Sequence, residues 1–342
     1  LEPPFSLPYI LLWGGLLFVH IVAMTTLLNI ARRLISVIVV LLLATFLLSC
    51  LIFLLPGDPA EIMAPVGAAE FIDVISADAG LDKGPIGYYF NWLGNLLQGD
   101  LGSYYLGSAE TPVAGRVVDA IPASLQLIIY TQILSLLIAI PLGMIAAYRE
   151  NSRLDKIINS TVFTIASFPG FALGLILILI VGVNLGWLPP VGYVPLGESV
   201  SEHFRYMALP VITLTAGLTA TYTRLLRADV IGTLKEDFVT MAASKGISNS
   251  RILWRHVLRP SSSTLLTSAA LNMGALIGGT VIIETIFVIP GLGSELAYAI
   301  GARQVVALQT LVALIAIAYV LFNTVTDVVT TFVDPRTRER RN

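Results

Sequence analysis

Charged residues are scarce. Asp, Glu, Lys and Arg make up 12% of the 342 residues, about half the ~25% usual in soluble domains, whereas 56% are hydrophobic. This excludes an ordinary soluble globule and indicates a polytopic membrane protein. Cysteine is limited to Cys50, inside an apolar run, so no intrachain disulfide or cysteine metal cluster can form. A small buried hydrophobe is the expected role for that residue. Three scattered histidines, His20, His203 and His256, have no zinc-ligand spacing, and there is no HExxH. His203 reads as an isolated surface residue. No GxxxxGK[ST] loop is present, so the chain lacks that means of holding ATP. No GxSxG elbow is present, which removes the nucleophile of an intramembrane hydrolase.

What the chain has is long apolar runs. Six reach or approach the roughly 20 residues that cross a bilayer as helix: 34–55, 122–147, 157–183, 208–223, 265–289 and 305–326. Pro141 and Pro169 fall inside spans, where neighbouring helices tolerate kinks. The only acid in any run is Glu284, too little for the polar relay of an ion-coupled transporter. Sixteen of the twenty basic residues fall on one side of this topology, which is therefore cytoplasmic. They lie before the first span, between the second and third, between the fourth and fifth, and in the tail. The stretch Leu7–Ala23 is apolar but short and lacks a signal peptide's basic flank. It is open to reading as an extra helix or as an interfacial segment.

The expected organisation is a 1–23 extension, a first span in 24–55, an external loop or cap in 56–121, a membrane core in 122–331 and a basic tail in 332–342. The cap contains "GYYFNWLGNLLQGDLGSYY", whose Tyr88, Tyr89, Trp92, Tyr104 and Tyr105 suit an interfacial aromatic belt better than a paved binding surface.

One cytoplasmic stretch, "TMAASKGISNSRILWRHVLRP" (Thr240–Pro260), stands out between two oily spans. Glu236–Lys245 has helical composition, with Phe238, Met241 and Ala242 forming an apolar stripe. Gly246 follows as a left-handed C′ residue, and Ile247 supplies the accompanying apolar contact. Ser248 or Ser250 can N-cap a second helix with a stripe of Ile252, Leu253, Val257 and Leu258. Pro260 begins the return to the membrane. The two helices form a rigid knuckle within 236–260, and Ala242 and Ala243 permit close approach by another protein. An amphipathic loop lying on anionic lipid is the alternative.

The stretch resembles the coupling loop of ABC importer permeases, with its glycine at a fixed offset. Phe238, Val239, Thr240, Met241, Ala242, Ala243, Ser244, Lys245 and Gly246 match its first helix and turn, and His256, Val257, Leu258 and Arg259 its second. Nine further blocks occur in the family's order, among them "LLPGDPA", "PLGMIAAYRENSRLD", "SFPGFALGL", "ETIFVIPGLG" and "DPRTR". The chain is thereby similar to the first membrane subunit of dipeptide and oligopeptide ABC importers. That resemblance implies an all-α polytopic fold, a six-span type I importer permease with a cytoplasmic coupling helix, in a bacterial or archaeal plasma membrane.

It also implies partners: a second homologous permease, two ATP-binding subunits or one fused ATPase, an extracytoplasmic substrate-binding protein, membrane lipid and a peptide substrate, but no nucleic acid. ATP and Mg would sit in the partner ATPases, leaving this chain without catalytic residues, cofactor or metal. ATPase coupling is expected at Thr240, Met241, Ala242, Ala243, Ser244, Lys245, Gly246, Ile247, Arg255 and His256. The translocation path or permease interface is expected at Phe168, Pro169, Asn272, Gly274, Gly278, Glu284, Pro290, Gly291 and Gly293. Gly274 and Gly278 suit close packing between permeases. Glu284 fits an interfacial structural role better than contact with a peptide amino group. Three departures from the family pattern, at Thr240, Pro260 and Gln304, touch loop geometry and cargo. Relatives that carry nickel chelates, haem or sugar-like solutes keep a non-peptide cargo open. A lone ion-coupled transporter is the alternative of a different class, and it would need an inverted repeat that the sequence does not display.

Overall fold

The computed structural model describes residues 35, 37–64, 71–106 and 109–333, with side chains through 324 except at 106 and 109. The 1–23 extension and the tail from residue 334 lie outside the described residues.

The first span is α1 (Val37–Leu54), ending at "PGDPA". There Asp58 caps α2 (Pro59–Met63), its carboxylate accepting from the Ala60 amide at 2.8 Å. The cap continues through α3 (Ile72–Ala79), α4 (Gly84–Leu97) and a hairpin of β1 (Ser103–Leu106) and β2 (Ala109–Pro112). The register pairs Tyr104 with Thr111 and Tyr105 with Glu110. Apart from this short hairpin the described elements are helical, in line with the all-α expectation.

Its aromatics correct the belt reading. Tyr88, Tyr89, Trp92 and Tyr104 are buried. Trp92 Nε1 donates to Thr310 Oγ1 at 2.9 Å and the Tyr89 hydroxyl donates to the Leu42 carbonyl at 3.0 Å, so they form the cap's own core and tie it to the spans. Gln304 makes a second tie. Its Oε1 accepts from the Tyr105 amide at 2.8 Å and its Nε2 donates to the Tyr105 carbonyl at 3.0 Å, imitating a neighbouring strand.

The second span, α5 (Val113–Tyr148), begins nine residues before the expected Pro122 and carries Pro122 and Pro141 internally. The expected run 157–183 is not one kinked span. It divides into α6 (Arg153–Ala166) and α7 (Gly170–Leu177, continued as a π-helical stretch to Asn184), set 94° apart across the break at Pro169. Proline cannot complete the helical ladder there, and its fixed φ instead starts the next helix. α8 (Val200–Leu234) is about 52 Å long at 1.5 Å per residue. Five threonines within 208–223 lower its hydropathy, which leaves it outside the helices apolar enough to span by composition. Its position explains this: α5, α6, α7 and a later long helix all pack on it, so much of its surface meets protein rather than lipid.

The coupling stretch forms α9 (Asp237–Ser244) and α10 (Asn249–Arg251). A π-helical turn, Ile252–Val257, then joins α10 to α11 (Leu258–Phe287) without a break. Pro260 therefore lies inside a continuous helix. The widened turn sits just ahead of it, where the proline ring would collide with the carbonyl four residues back. α12 (Leu292–Gly301) and α13 (Val305–Val333) complete the fold. Among the described residues, four helical segments suffice by length and composition to cross a membrane: α1, α5, the stretch Asn249–Phe287 and the first twenty residues of α13. Counted together as one broken span, the bent α6–α7 pair would bring the number to five.

His203 corrects another expectation. It is fully buried, with Nδ1 at 2.7 Å from the Val194 carbonyl oxygen and Nε2 at 3.2 Å from the Tyr130 hydroxyl.

Candidate functional site

The knuckle is built by its turn. Gly246 has φ +76°, the left-handed conformation that glycine adopts without a Cβ penalty. Its amide donates to the Ala243 carbonyl at 2.9 Å and the Ile247 amide to the Ala242 carbonyl at 3.2 Å. Those two bonds define a Schellman cap, and Ile247 and Ala242 both pack against the same core cluster, its usual apolar signature. Ser248 occupies the N-cap position of α10 in extended conformation, although its side chain makes no capping bond.

The first helix of the knuckle has apolar side chains on two faces, where a single stripe of Phe238, Met241 and Ala242 was expected. Val239, Ala242, Ile247, Ile252 and Val257 turn inward. They join Met144 and Ala147 of α5, Tyr222, Leu226 and Val230 of α8, and Leu265 of α11 in one cluster. Ile252 and Val257 are five residues apart and both buried, as the π-helical turn between them allows. Phe238 and Met241 do not share that face. They are exposed, at 42% and 57%, as is Trp254 at 48%. Thr240, Ala243, Ser244, Lys245, Gly246 and Arg255 are exposed as well, with His256 half-buried. The knuckle thus leaves Phe238, Met241 and Trp254 exposed while its inner face is seated on the ends of α5, α8 and α11. The Asn249 Nδ2 donates to the Tyr148 hydroxyl at 3.0 Å, and the Ser261 hydroxyl to Thr233 Oγ1 at 2.8 Å, pinning the element to α5 and α8.

Beside it lies a pair that sequence reading missed. Asp155 of α6 is buried and receives Arg227 of α8 in a two-pronged bridge, Nε to Oδ1 and Nη2 to Oδ2, both at 2.7 Å. The signal available was Ser-x-x-Asp at Ser152–Asp155, a helix-start pattern, and Ser152 does cap α6 by accepting from the Asp155 amide at 3.2 Å.

The second group of expected residues separates. Glu284, Gly291 and Gly293 come together at the end of α11. Glu284 is fully buried; its Oε1 accepts from the Ser124 hydroxyl at 2.8 Å, and its Oε2 from the amides of Gly293 at 2.7 Å and Ser294 at 3.1 Å. Ser124 in turn accepts from the Leu292 amide at 2.9 Å. The carboxylate therefore caps the N-terminus of α12 from α11 and reaches α5. All these contacts lie within the chain, and the carboxylate is fully buried by them. Gly293 is required by space: a Cβ there would stand 2.5 Å from the Val281 Cα. Exposed Pro290 leads into the turn.

Gly274 also packs within the chain, where a Cβ would meet Asn323 Oδ1 of α13 at 2.7 Å. Gly278 is exposed, with nothing within 4 Å of its Cβ position. Asn272 is half-buried, its Nδ2 3.4 Å from Ser268 Oγ. Phe168 and Pro169 stand exposed at the α6–α7 bend and take no part in the Glu284 clamp.

At the cap, sequence reading also missed Arg116. It bridges to Glu295 (Nε to Oε2, 2.9 Å) and lies 4.6 Å and 4.3 Å from the ring centres of Tyr104 and Tyr298, locking the hairpin to α5 and α12.

Comparison with known proteins places this geometry. Residues 139–339 match the family described as binding-protein-dependent transport system inner membrane component, and residues 26–136 match the N-terminal family of the same membrane components. A Sinorhizobium fredii protein named as a probable peptide ABC transporter permease, y4tP, is 32% identical over 90% of this chain and 98% of its own length. The glutathione transport system permease protein GsiC of Escherichia coli O6:H1 is 31% identical over 90% of this chain and 97% of its own. Among solved structures, inward-facing conformations of the MetNI methionine ABC transporter share the fold, with TM-score 0.53 and 16% identity over 64% of this chain and 96% of the other. The chain belongs to the binding-protein-dependent transport system inner membrane components, the multi-pass permeases of ABC transporters.

Proposed function

We propose that this chain is one of two permease subunits that together import di- or oligopeptides, driven by ATP hydrolysis in partner subunits. The observation that carries the reading is the two-faced knuckle. Its inner face is packed on three membrane helices, and its outer face leaves Phe238, Met241 and Trp254 uncovered. Exposed large apolar side chains on one small element mark a protein- or membrane-docking surface, and membership in a multi-subunit transport family favours protein. A partner that moves this element must move α5, α8 and α11 with it, because the buried cluster is shared.

In this reading the outer face docks on an ATP-binding subunit, through Phe238, Met241, Ala243, Lys245 and the turn at Gly246. ATP and Mg belong to those subunits, present as two chains or one fused chain. A second permease completes the path, and an extracytoplasmic binding protein delivers cargo. Peptide cargo is supported by the peptide and glutathione systems named for the relatives.

The test is purification of the chain from its native membrane in mild detergent, followed by mass spectrometry and reconstituted uptake of labelled di- and tripeptides. Co-purifying ATP-binding chains, a second permease and ATP-dependent peptide uptake are expected. A chain that purifies alone and transports without ATP would overturn the reading.

A further inference from the structure

The cap helix α4 does not rest on top of the spans; it descends beside two of them. Near its start, Tyr88 packs with Ile52 of α1 and with Val305 and Val306 at the cap end of α13. Two turns later, Leu93 and Leu96 pack with Phe46 of α1 and Ala313 of α13. Tyr88 to Leu96 and Val305 to Ala313 are each eight residues, about 12 Å of helix, and Ile52 to Phe46 is six, about 9 Å. The Tyr89 hydroxyl reaches the Leu42 carbonyl, deeper still along α1. The apolar run of α1 ends at Leu55 and that of α13 begins at Val305. The second half of α4 therefore lies at the depth that these spans give to hydrocarbon.

Two independent features fit that depth. The first is the outward face. Ile86, Phe90, Leu93 and Leu97 recur at i, i+4, i+7 and i+11 and form one line along a helix with no charged side chain. Ile86, Phe90 and Leu97 are 60%, 64% and 80% exposed, and Leu93 is half-buried. The opposite face, with Tyr88, Trp92 and Asn95, lines a polar cleft between α4 and the hairpin. The second feature is the helix end. The carbonyls of Gly94, Asn95 and Leu96 accept from the amides of Gln98, Asp100 and Gly99 at 3.3, 2.9 and 3.0 Å. Gln98 Nε2 also donates to the Gly94 carbonyl at 3.2 Å, and Asp100 lines the cleft. Gly102 is already back beside Val306. Backbone groups away from water must be satisfied within the protein, and these are.

We propose that α4 is a re-entrant helix seated in the cap-side leaflet of the bilayer, with its Ile86–Phe90–Leu93–Leu97 line against lipid acyl chains. At 14 residues it is too short to cross, and apolar segments of that length are either core helices or re-entrant and interfacial ones. The exposed line excludes a core helix. Lipid is the occupant because the line continues the exposed apolar surface of α1, where Leu43, Leu47 and Leu51 stand 56–60% exposed at the same depth. The line also lacks Gly, Ala, Ser and Thr, the small residues that favour close helix packing between proteins in a bilayer. The inference does not depend on what the transporter carries.

Spin labelling of the assembled transporter in lipid nanodiscs tests this. With Cys50 replaced by Ser, a nitroxide is attached to single cysteines at Ile86, Phe90 and Leu97. Leu47 in the first span and exposed Asp82 in the cap serve as lipid and water references. Collision of each label with apolar oxygen is compared with collision with a polar nickel chelate. Phe90 and Leu97 should behave as Leu47 does, and the oxygen-to-chelate ratio should rise from Ile86 through Phe90 to Leu97, the deepest. A measurement on the native chain guards against labels that distort the helix. A phosphatidylcholine with a photoreactive diazirine in its acyl chain should leave adducts within 86–97 and none within 73–82. Labels at Phe90 and Leu97 that meet the chelate as readily as Asp82 does would place the face in water and overturn the proposal. Labels screened from both reagents, with no diazirine adducts on the native helix, would show that protein covers the face and would overturn it equally.

Discussion

Replacing Glu284 tests how the outer end of the fold is held together. Its carboxylate accepts three bonds, from the Ser124 hydroxyl and the Gly293 and Ser294 amides, in a fully buried setting. Glu284→Gln leaves one oxygen for the two amides and turns an NH2 group toward Ser124. Ser124 already accepts from Leu292, so its own hydrogen loses its acceptor. Losing charge assistance and one buried hydrogen bond should cost about 2 kcal/mol. Glu284→Ala strands two amides and a hydroxyl and opens a void, at ~1–3 kcal/mol per unsatisfied group, so about 4 kcal/mol or more is expected. The assay is chemical unfolding in mixed micelles followed by tryptophan fluorescence, with all variants compared at one detergent composition. The order native, Gln, Ala is predicted. A Gln variant as stable as the native chain, or an Ala variant within about 1 kcal/mol of it, would refute the clamp.

Gly246→Val should leave the chain inserted but separate ATP hydrolysis from uptake in the reconstituted transporter, because a β-branched residue at φ +76° costs ~1–2 kcal/mol or more and reshapes the turn. Nothing lies within 4 Å of its Cβ position, so the effect is one of backbone, and Gly246→Asn should retain most coupling. Asp155→Ala leaves Arg227 half-buried and unpaired and should cost about 2 kcal/mol in the same unfolding assay. Gly274→Leu should cost ~1–3 kcal/mol by overpacking against Asn323, while Gly278→Ala should be near neutral for stability.

The spans, the knuckle and its glycine turn were legible because each rests on local chemistry: apolar run length, a left-handed C′ glycine and an apolar C″ residue. The inward and outward faces of α9 were not separable by spacing. Phe238, Val239, Met241 and Ala242 are all apolar, and only the three-helix seat beneath Val239 and Ala242 distinguishes them. The α6–α7 break was misread because hydropathy is blind to direction, although Pro169 was in view. α8 illustrates the reverse case. Its threonine-rich middle reads as a weak span, yet four helices pack on it. Long-range polar contacts, such as Glu284 with Ser124 and Asp155 with Arg227, join residues 160 and 72 positions apart, which no local pattern encodes.

Cross-linking from the knuckle's outer face tests the central claim most directly. With Cys50 replaced by Ser, single cysteines at Met241, Phe238 and the buried control Val239 are introduced in the assembled transporter in native membranes. A bifunctional thiol-to-amine reagent is applied and the products are identified by mass spectrometry. Strong adducts to an ATP-binding subunit from positions 241 and 238, and weak or none from 239, are predicted. An assembled, active transporter in which positions 241 and 238 both fail to reach any ATP-binding subunit would contradict the account.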